Sequence, residues 1–283
     1  MEYSNLPITT SSPGCLVFLL DQSNSMGDPF GGDDSNSRKA DGLADAINRL
    51  LQTLVIRCTR TAGVRGYFDV AVLGYNSVHI GSVLGGELAG QDLVPVTKVA
   101  ATPLRVETRK RRRPGDVPGT FVEQEERFPV WVEPTCGPWT PMCAALEKAH
   151  AIVASWITRY PAAFPPLVIH ITDGESTDGN PVPAAQRVRS LRTEDGNALL
   201  FNCHLSTLSS PPVLFPDRRE VLPDRFAEQL FDMSSVLPPL FREEARREGF
   251  VVSDASRGFA FNADLVQLIQ FLDIGSRASN QIR

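Results

Sequence analysis

Two aspartates stand directly behind apolar runs of the sequence, where they are candidates for metal or catalytic chemistry. Asp21 follows the run CLVFLL, and Asp173 follows LVIHIT. Asp21 also begins the segment DQSNS, which places oxygen-bearing side chains on alternate residues, Asp21, Ser23 and Ser25. Alternate residues of an extended segment point the same way. Because carboxylates combined with neutral oxygens are the ligands that Mg²⁺ prefers, the spacing predicts a divalent cation site.

The apolar runs around these aspartates predict the strands of a parallel sheet. Short continuous apolar runs are typical of strands buried on both faces, and here they alternate with segments of helical periodicity. This alternation predicts an α/β fold with a mainly parallel sheet and helices on both faces. The predicted strands are residues 15–20, 67–75, 78–84, 104–108, 121–132, 167–171 and 198–205, and the predicted helices are residues 38–58, 140–160, 184–191, 225–231, 240–249 and 264–274. Ligands of such sheets bind beyond the carboxyl ends of the strands, where Asp21 and Asp173 are expected.

Three regions depart from simple alternation. Residues 67–75 and 78–84 are separated by a two-residue turn, which predicts an antiparallel pair toward one edge of the sheet. Residues 85–135 are predicted to form a β insertion whose two strands are joined by a basic turn. Prolines divide residues 209–283 into short pieces, interpreted as an extension that packs on the core, with residues 258–262 able to complete the sheet. We therefore predict one domain over residues 1–283, with its core at about 15–208.

Composition limits the classes of partner and the compartment. The formal net charge is -5, which disfavours nucleic acid and anionic lipid as partners. The basic run Arg109–Arg113 is followed by acidic residues and is interpreted as a solvated hairpin face. The apolar run near the N-terminus is too short to span a membrane, and the first 14 residues do not resemble a signal peptide. With five scattered cysteines, these features predict a cytoplasmic protein.

An enzymatic interpretation also starts from the two aspartates. Magnesium-dependent phosphohydrolases of the haloacid dehalogenase type place an aspartate after each of two strands, but they need a second acid two residues after the first, where this chain has Ser23. They also need a lysine, and none follows a predicted strand; the lysines are Lys39, Lys98, Lys110 and Lys148. The histidines lack metalloenzyme spacing and are interpreted as core or surface residues: His79, His150, His170 and His204.

The candidate residues resemble those of the von Willebrand factor A (vWA) domain family. That family builds a metal-ion-dependent adhesion site (MIDAS) from D-x-S-x-S, a distant threonine and a distant aspartate. Asp21, Ser23 and Ser25 match the first element, Thr140 in GPWTPM resembles the threonine, and Asp173 in ITDG resembles the aspartate. The resemblance covers residues 15 to about 208 and implies a Rossmann-like three-layer fold with one antiparallel edge strand. Two departures are Asn24, where glycine is usual, and the long insertion at 85–135.

The resemblance also implies a function. The five side chains would hold Mg²⁺, with Mn²⁺ or Ca²⁺ as alternatives, and leave one coordination position for a Glu or Asp of a protein partner. Such a chain is an interaction module and not an enzyme. The segments DQSNSM and ITDGE resemble those of cytoplasmic prokaryotic members that act beside an ATPase, or a kinase and phosphatase, in stress or defence systems. Trp139 is a candidate for the mouth of the site. A structural scaffold with a vestigial metal site is the second interpretation, and the phosphohydrolase is the third.

Overall fold

The computed structural model describes residues 7–29, 38–114, 121–206 and 210–276. Helices and strands alternate along most of this chain. The helices are α1 Lys39–Cys58, α2 Val96–Ala101, α3 Met142–Arg159, α4 Val182–Ser190, α5 Arg225–Met233, α6 Pro239–Arg247 and α7 Leu265–Ser276. The strands are β1 Gly14–Asp21, β2 Thr59–Arg60, β3 Gly63–Val64, β4 Phe68–Tyr75, β5 Ile80–Ser82, β6 Val94–Pro95, β7 Arg105–Pro114, β8 Phe121–Val130, β9 Leu167–Thr172, β10 Arg192–Thr193, β11 Gly196–Asn197, β12 Leu199–His204, β13 Val213–Leu214 and β14 Phe259–Phe261.

An eight-stranded sheet forms the centre of the fold. Its order is β13-β14-β12-β9-β1-β4-β5, and β6 also pairs with β4. The five inner strands run parallel to one another. β9, the strand that precedes Asp173, lies directly beside β1 and parallel to it. The carboxyl ends of these two strands therefore meet at one edge of the sheet.

Helices cover both faces of this sheet because its inner strands are apolar throughout. All eight residues of β1 are buried, and its alternate side chains enter two separate cores. Leu16, Phe18 and Leu20 pack with α1, α2, α6 and α7, whereas Val17 and Leu19 pack with α3, α4 and α5. The predicted Rossmann-like three-layer α/β fold with a mainly parallel sheet is therefore confirmed. No helix in the described part of the chain has the length and apolarity needed to cross a membrane.

Antiparallel strands form both edges of the sheet, and the sequence predicted one of them. The antiparallel pair of β4 and β5 is confirmed at one edge. The opposite edge ends in a second antiparallel strand, β13, which the sequence did not predict because prolines surround it. Short edge strands tolerate proline since one row of their backbone groups faces solvent. β13 and β14 lie within residues 209–283, so the predicted extension contributes two strands to the central sheet.

The insertion is an antiparallel hairpin, β7 and β8, but its turn was placed wrongly. The basic run Arg109–Arg113 belongs to β7 and pairs with the acidic residues of β8, for example Arg109 with Glu126 and Lys110 with Glu125. Opposite charges on facing strands favour this longer ladder over a basic turn. The short helix α2 was also not predicted within the insertion.

The base of the insertion is fixed to α1 by a buried asparagine. Asn48 Nδ2 donates to the carbonyl of Val132 at 2.9 Å, and Asn48 Oδ1 accepts from the N–H groups of Trp131 and Val132 at 2.8 and 3.1 Å. Buried backbone groups that leave a strand need such partners. The segment from Val132 onward is thereby held beside the sheet as it runs toward Thr140.

Candidate metal centre

The loop after β1 carries three of the predicted ligands. The N–H of Ser23 donates to Asp21 Oδ1 at 2.8 Å, which folds the loop back over the aspartate. A short 3₁₀ turn, Asn24–Gly27, follows and brings Ser25 Oγ to 3.0 Å from Ser23 Oγ. The side chain of Asn24 is exposed, so it does not displace the two hydroxyls. Asp21, Ser23 and Ser25 therefore form one local group of oxygens.

Asp21 is a buried carboxylate, with only 1% of its surface exposed. Burial, together with the smaller effect of the nearby Asp173 carboxylate, raises the pKa of Asp21 to about 6. Hydrogen bonds from Thr172 Oγ1, at 2.6 Å to Oδ2, and from Ser23 act in the opposite direction. The paired ends of β1 and β9 thus place Asp21 and Asp173 near each other at a poorly solvated edge of the sheet.

A hydrogen bond from a histidine holds the backbone of Asp173 in place. His204 Nε2 donates to the carbonyl of Asp173 at 2.8 Å, so the proton of the neutral ring lies on Nε2. The next residue, Gly174, has a φ of +123°, and a side chain there would meet His204 Nε2 at 2.7 Å. A glycine is thus required for the chain to turn away from the sheet and leave the Asp173 carboxylate at the edge.

The segment that follows the insertion carries Thr140. The N–H of Gly137 donates to the carbonyl of Gln22 at 2.7 Å, which attaches this segment to the loop after β1. Thr140 N donates to Thr177 Oγ1 at 2.9 Å, and Thr177 N donates to the carbonyl of Thr140 at 3.0 Å. Thr140 itself is 6% exposed. Its segment is held between the loops that follow β1 and β9.

Lys39 is a member of this group that the sequence analysis missed. Its side chain is 4% exposed, and Nζ donates to Asp173 Oδ2 at 3.3 Å. None of the four lysines follows a predicted strand, but Lys39 reaches the site from the first turn of α1. A signal existed, because Lys39 precedes Leu43 by four residues and so shares the buried face of that helix.

The donor set suits a hard divalent cation. The hydroxyls of Ser23 and Ser25 contact each other after Asp21, Asp173 follows the neighbouring strand, and the segment of Thr140 is held between the two loops. The carboxylates of Asp21 and Asp173 carry two negative charges when ionised, against one positive charge from Lys39. Buried charges of one sign need an opposite charge to be stable. The residues present fit a cation that prefers oxygen ligands, such as Mg²⁺.

A neutral histidine connects the strands beneath this edge. His170 is fully buried in β9, with Nε2 at 2.7 Å from Tyr75 Oη and Nδ1 at 2.9 Å from Asn202 Oδ1. The amide nitrogen of Asn202 donates to Leu230 O and Ser234 Oγ, so its oxygen accepts from His170 Nδ1–H. The proton of the Tyr75 hydroxyl then points at Nε2. His170 is a satisfied core histidine, as the sequence predicted.

Comparison with family models finds no match, and sequence similarity finds no characterised relative. The fold is similar to solved structures at low identity. The manganese-loaded TRAP protein of Plasmodium vivax is 13% identical over 93% of this chain and 72% of that chain, with a TM-score of 0.44. The ArnB paralog VWA2 from Sulfolobus acidocaldarius is 14% identical over 91% and 43%, with a TM-score of 0.39. The vWF domain of the pili tip protein Mfa5 from Porphyromonas gingivalis is 16% identical over 58% and 39%, with a TM-score of 0.31. This chain spans about two fifths of the last two structures.

The buried histidine predicts acid sensitivity. Burial lowers the pKa of His170 from 6.5 to about 4. Between these pH values the unfolded chain binds a proton at this residue and the folded chain does not, so stability is lost as the pH falls from 6.5 toward 4. We expect His170→Gln to remove about 2 kcal/mol of this loss between pH 7 and pH 4.5. The measurement is the free energy of unfolding in urea at pH 7 and pH 4.5 for both proteins. Equal pH dependence in the two proteins would contradict the assignment.

Proposed function

We propose that this chain is a vWA-type interaction domain that binds a protein partner through a divalent cation. The observation that carries the proposal is the pair of carboxylates, Asp21 and Asp173, at one sheet edge, with Ser23 Oγ and Ser25 Oγ lying 3.0 Å apart in the loop after Asp21. With Thr140, these side chains are the proposed ligands. Mg²⁺ is the proposed ion, and Mn²⁺ has the same preference for oxygen ligands.

The proposed ligand set favours an additional carboxylate from outside the chain. Three of its five members are neutral hydroxyls, so a bound dication would retain part of its positive charge and attract a Glu or Asp of a partner. Ser23 N–H and Thr172 Oγ1 hold the Asp21 carboxylate in place through one oxygen each. His204 and Gly174 hold the backbone of Asp173. The chain thus orients the ligands before any partner arrives.

The surface next to the site supports protein binding. Trp139 is 64% exposed, and it directly precedes Thr140 with a φ of +61°. Val78 is 83% exposed in the turn after β4, and the N–H of Ser77 donates to the carbonyl of Pro138 at 2.9 Å, which brings the two segments together. An exposed tryptophan beside an exposed valine is typical of a contact surface. A partner would place its carboxylate at the cation and apolar side chains on this rim.

The position of Asp21 opposes the phosphohydrolase interpretation. A nucleophile must reach the phosphorus of its substrate, but Asp21 is 1% exposed and both of its oxygens accept hydrogen bonds. Ser23 also occupies the place of the required second acid. The proximity of Lys39 to Asp173 removes the sequence argument from the lysines, whereas the absence of the second acid and the burial of Asp21 still oppose this enzyme.

We propose that the partner is an ATPase or a kinase and phosphatase pair in a cytoplasmic bacterial stress or defence system.

Metal titration tests the ligand assignment. We expect the metal-stripped protein to bind one Mn²⁺ or Mg²⁺, and Asp21→Asn and Asp173→Asn to abolish binding because each removes half of the ligand charge. Thr140→Ala should weaken binding by about 10-fold to 100-fold, as loss of a neutral contact does in metal sites. The measurement is isothermal titration calorimetry. Glu175→Gln is the matched control, since Glu175 is exposed in the same loop as Asp173. Unchanged affinity in both aspartate variants would exclude this site and favour the vestigial scaffold.

The coordination position for a partner can be tested with a carboxylate probe. We expect a short Glu-containing peptide to lower the water proton relaxation caused by protein-bound Mn²⁺, because its carboxylate displaces water from the ion. A Gln-containing peptide of the same sequence is the control and should have no effect. A protein that binds Mn²⁺ but responds equally to both peptides would contradict carboxylate recognition while leaving the metal site intact.

A further inference from the structure

Lys39 occupies a place where a lysine is unfavourable on two grounds. It is 3% exposed, and burying an ammonium group costs several kcal/mol unless it is paired. It is also the first residue of α1, where the free N–H groups of the helix already carry partial positive charge. Neither the helix nor the surrounding core explains a cation at this position. The acidic groups at the sheet edge do.

The ammonium group contacts an atom that the proposed cation site requires. Lys39 Nζ donates to Asp173 Oδ2 at 3.3 Å, and this is its one hydrogen bond among the described residues. Asp173 directly follows Thr172, whose hydroxyl donates to Asp21 Oδ2 at 2.6 Å, and the two aspartates stand at the ends of neighbouring parallel strands. The lysine charge therefore lies within the electrostatic reach of both carboxylates.

We infer that the Lys39 ammonium is an internal counter-ion that competes with the divalent cation for Asp173 and so sets the affinity of the site. This inference rests on the proposed function, because it assigns a role to Lys39 at the same site. Without the divalent cation, Lys39 compensates part of the buried negative charge. A dication beside Asp173 repels the ammonium group, so each of the two cations weakens the attraction of this carboxylate for the other.

The structure allows this exchange without unfolding α1. The backbone of Lys39 is fixed, since its N–H donates to the carbonyl of Asp28 at 2.9 Å and Pro29 pairs with Arg38. The side chain has four rotatable carbon bonds and one described hydrogen bond, so the ammonium group can leave Asp173 while the helix stays in place. Lys39 is thus a positioning residue whose charge, and not its backbone, acts on the site.

The test compares Mn²⁺ affinity in wild type and Lys39→Met, which keeps the length of the side chain and removes its charge. We expect the dissociation constant to fall by about 5-fold to 150-fold, the range typical of coupling between two ligands of one protein. Lys39→Arg keeps the charge and should not bind more tightly than wild type. Lys148→Met is the matched control. Lys148 lies on the surface in α3, and its Nζ pairs with Asp92 Oδ2 at 2.5 Å.

Thermal unfolding gives a second readout. In chelator, Lys39→Met should unfold at a lower temperature than wild type, because the buried Asp21 and the partly buried Asp173 lose their counter-ion. Mn²⁺ should raise the unfolding midpoint of Lys39→Met more than that of wild type. If Lys39→Met does not fold in chelator, the test uses the wild-type protein instead, and ¹⁵N NMR observes its lysine ammonium groups. Added Mg²⁺ must then shift the Lys39 signal, and an unshifted signal in the Mg²⁺-bound protein overturns the inference.

The outcomes separate this inference from the proposed function. Equal or weaker Mn²⁺ binding by Lys39→Met overturns the role of Lys39 and leaves the metal-dependent function in place. Binding by Lys39→Met but not by wild type supports the role of Lys39 and shows that the lysine replaces the metal in the natural protein. Absence of binding in both proteins overturns both.

Discussion

The confinement of two carboxylates at the edge of an apolar sheet is the constraint on which the rest of this structure depends. β1 and β9 are fully buried neighbours, and each leads into an aspartate at the point where it leaves the core. Asp21 has almost no contact with solvent, and Asp173 adds a like charge beside it. A fold that brings such groups together must provide opposite charge or hydrogen bonds. Asp21 receives hydrogen bonds from Ser23 and Thr172, and Asp173 receives the ammonium of Lys39.

The rest of the fold positions the groups that compensate the negative charge of Asp21 and Asp173. Parallel pairing of β1 with β4 and β9 brings three loops to one edge. The insertion is attached at its base by Asn48, and its return segment carries Thr140 to that edge. The first turn of α1 supplies a cation against the preference of its own helix dipole. The site is therefore assembled from separated parts of the sequence, each held by contacts of its own.

Patterns within single segments predicted much of this arrangement. The uninterrupted run before Asp21 and the run before Asp173 specify buried parallel strands, and strand order then places both aspartates at one edge. Thr140 entered through resemblance to a known family, since spacing alone does not connect it to residues more than 100 positions away. Its place in the ligand set stays a prediction that metal binding must test.

Features that depend on contacts between segments were not predictable in the same way. Lys39 does not follow a predicted strand, and its burial results from the packing of α1 on the sheet. The length of β7 depends on acidic residues in β8, and the second antiparallel edge depends on how residues 209–283 return to the sheet. Each of these features depends on contacts between residues that are distant in the sequence. The periodicity of a single segment therefore cannot predict them.

A crystal structure of the protein grown with Mn²⁺, measured at the manganese absorption edge, tests the central claim most directly. The account predicts one anomalous peak bounded by Asp21, Ser23, Ser25, Thr140 and Asp173, with the Lys39 ammonium moved away from Asp173. A map without such a peak, in which Lys39 still contacts Asp173, would contradict the claim that these carboxylates hold a divalent cation.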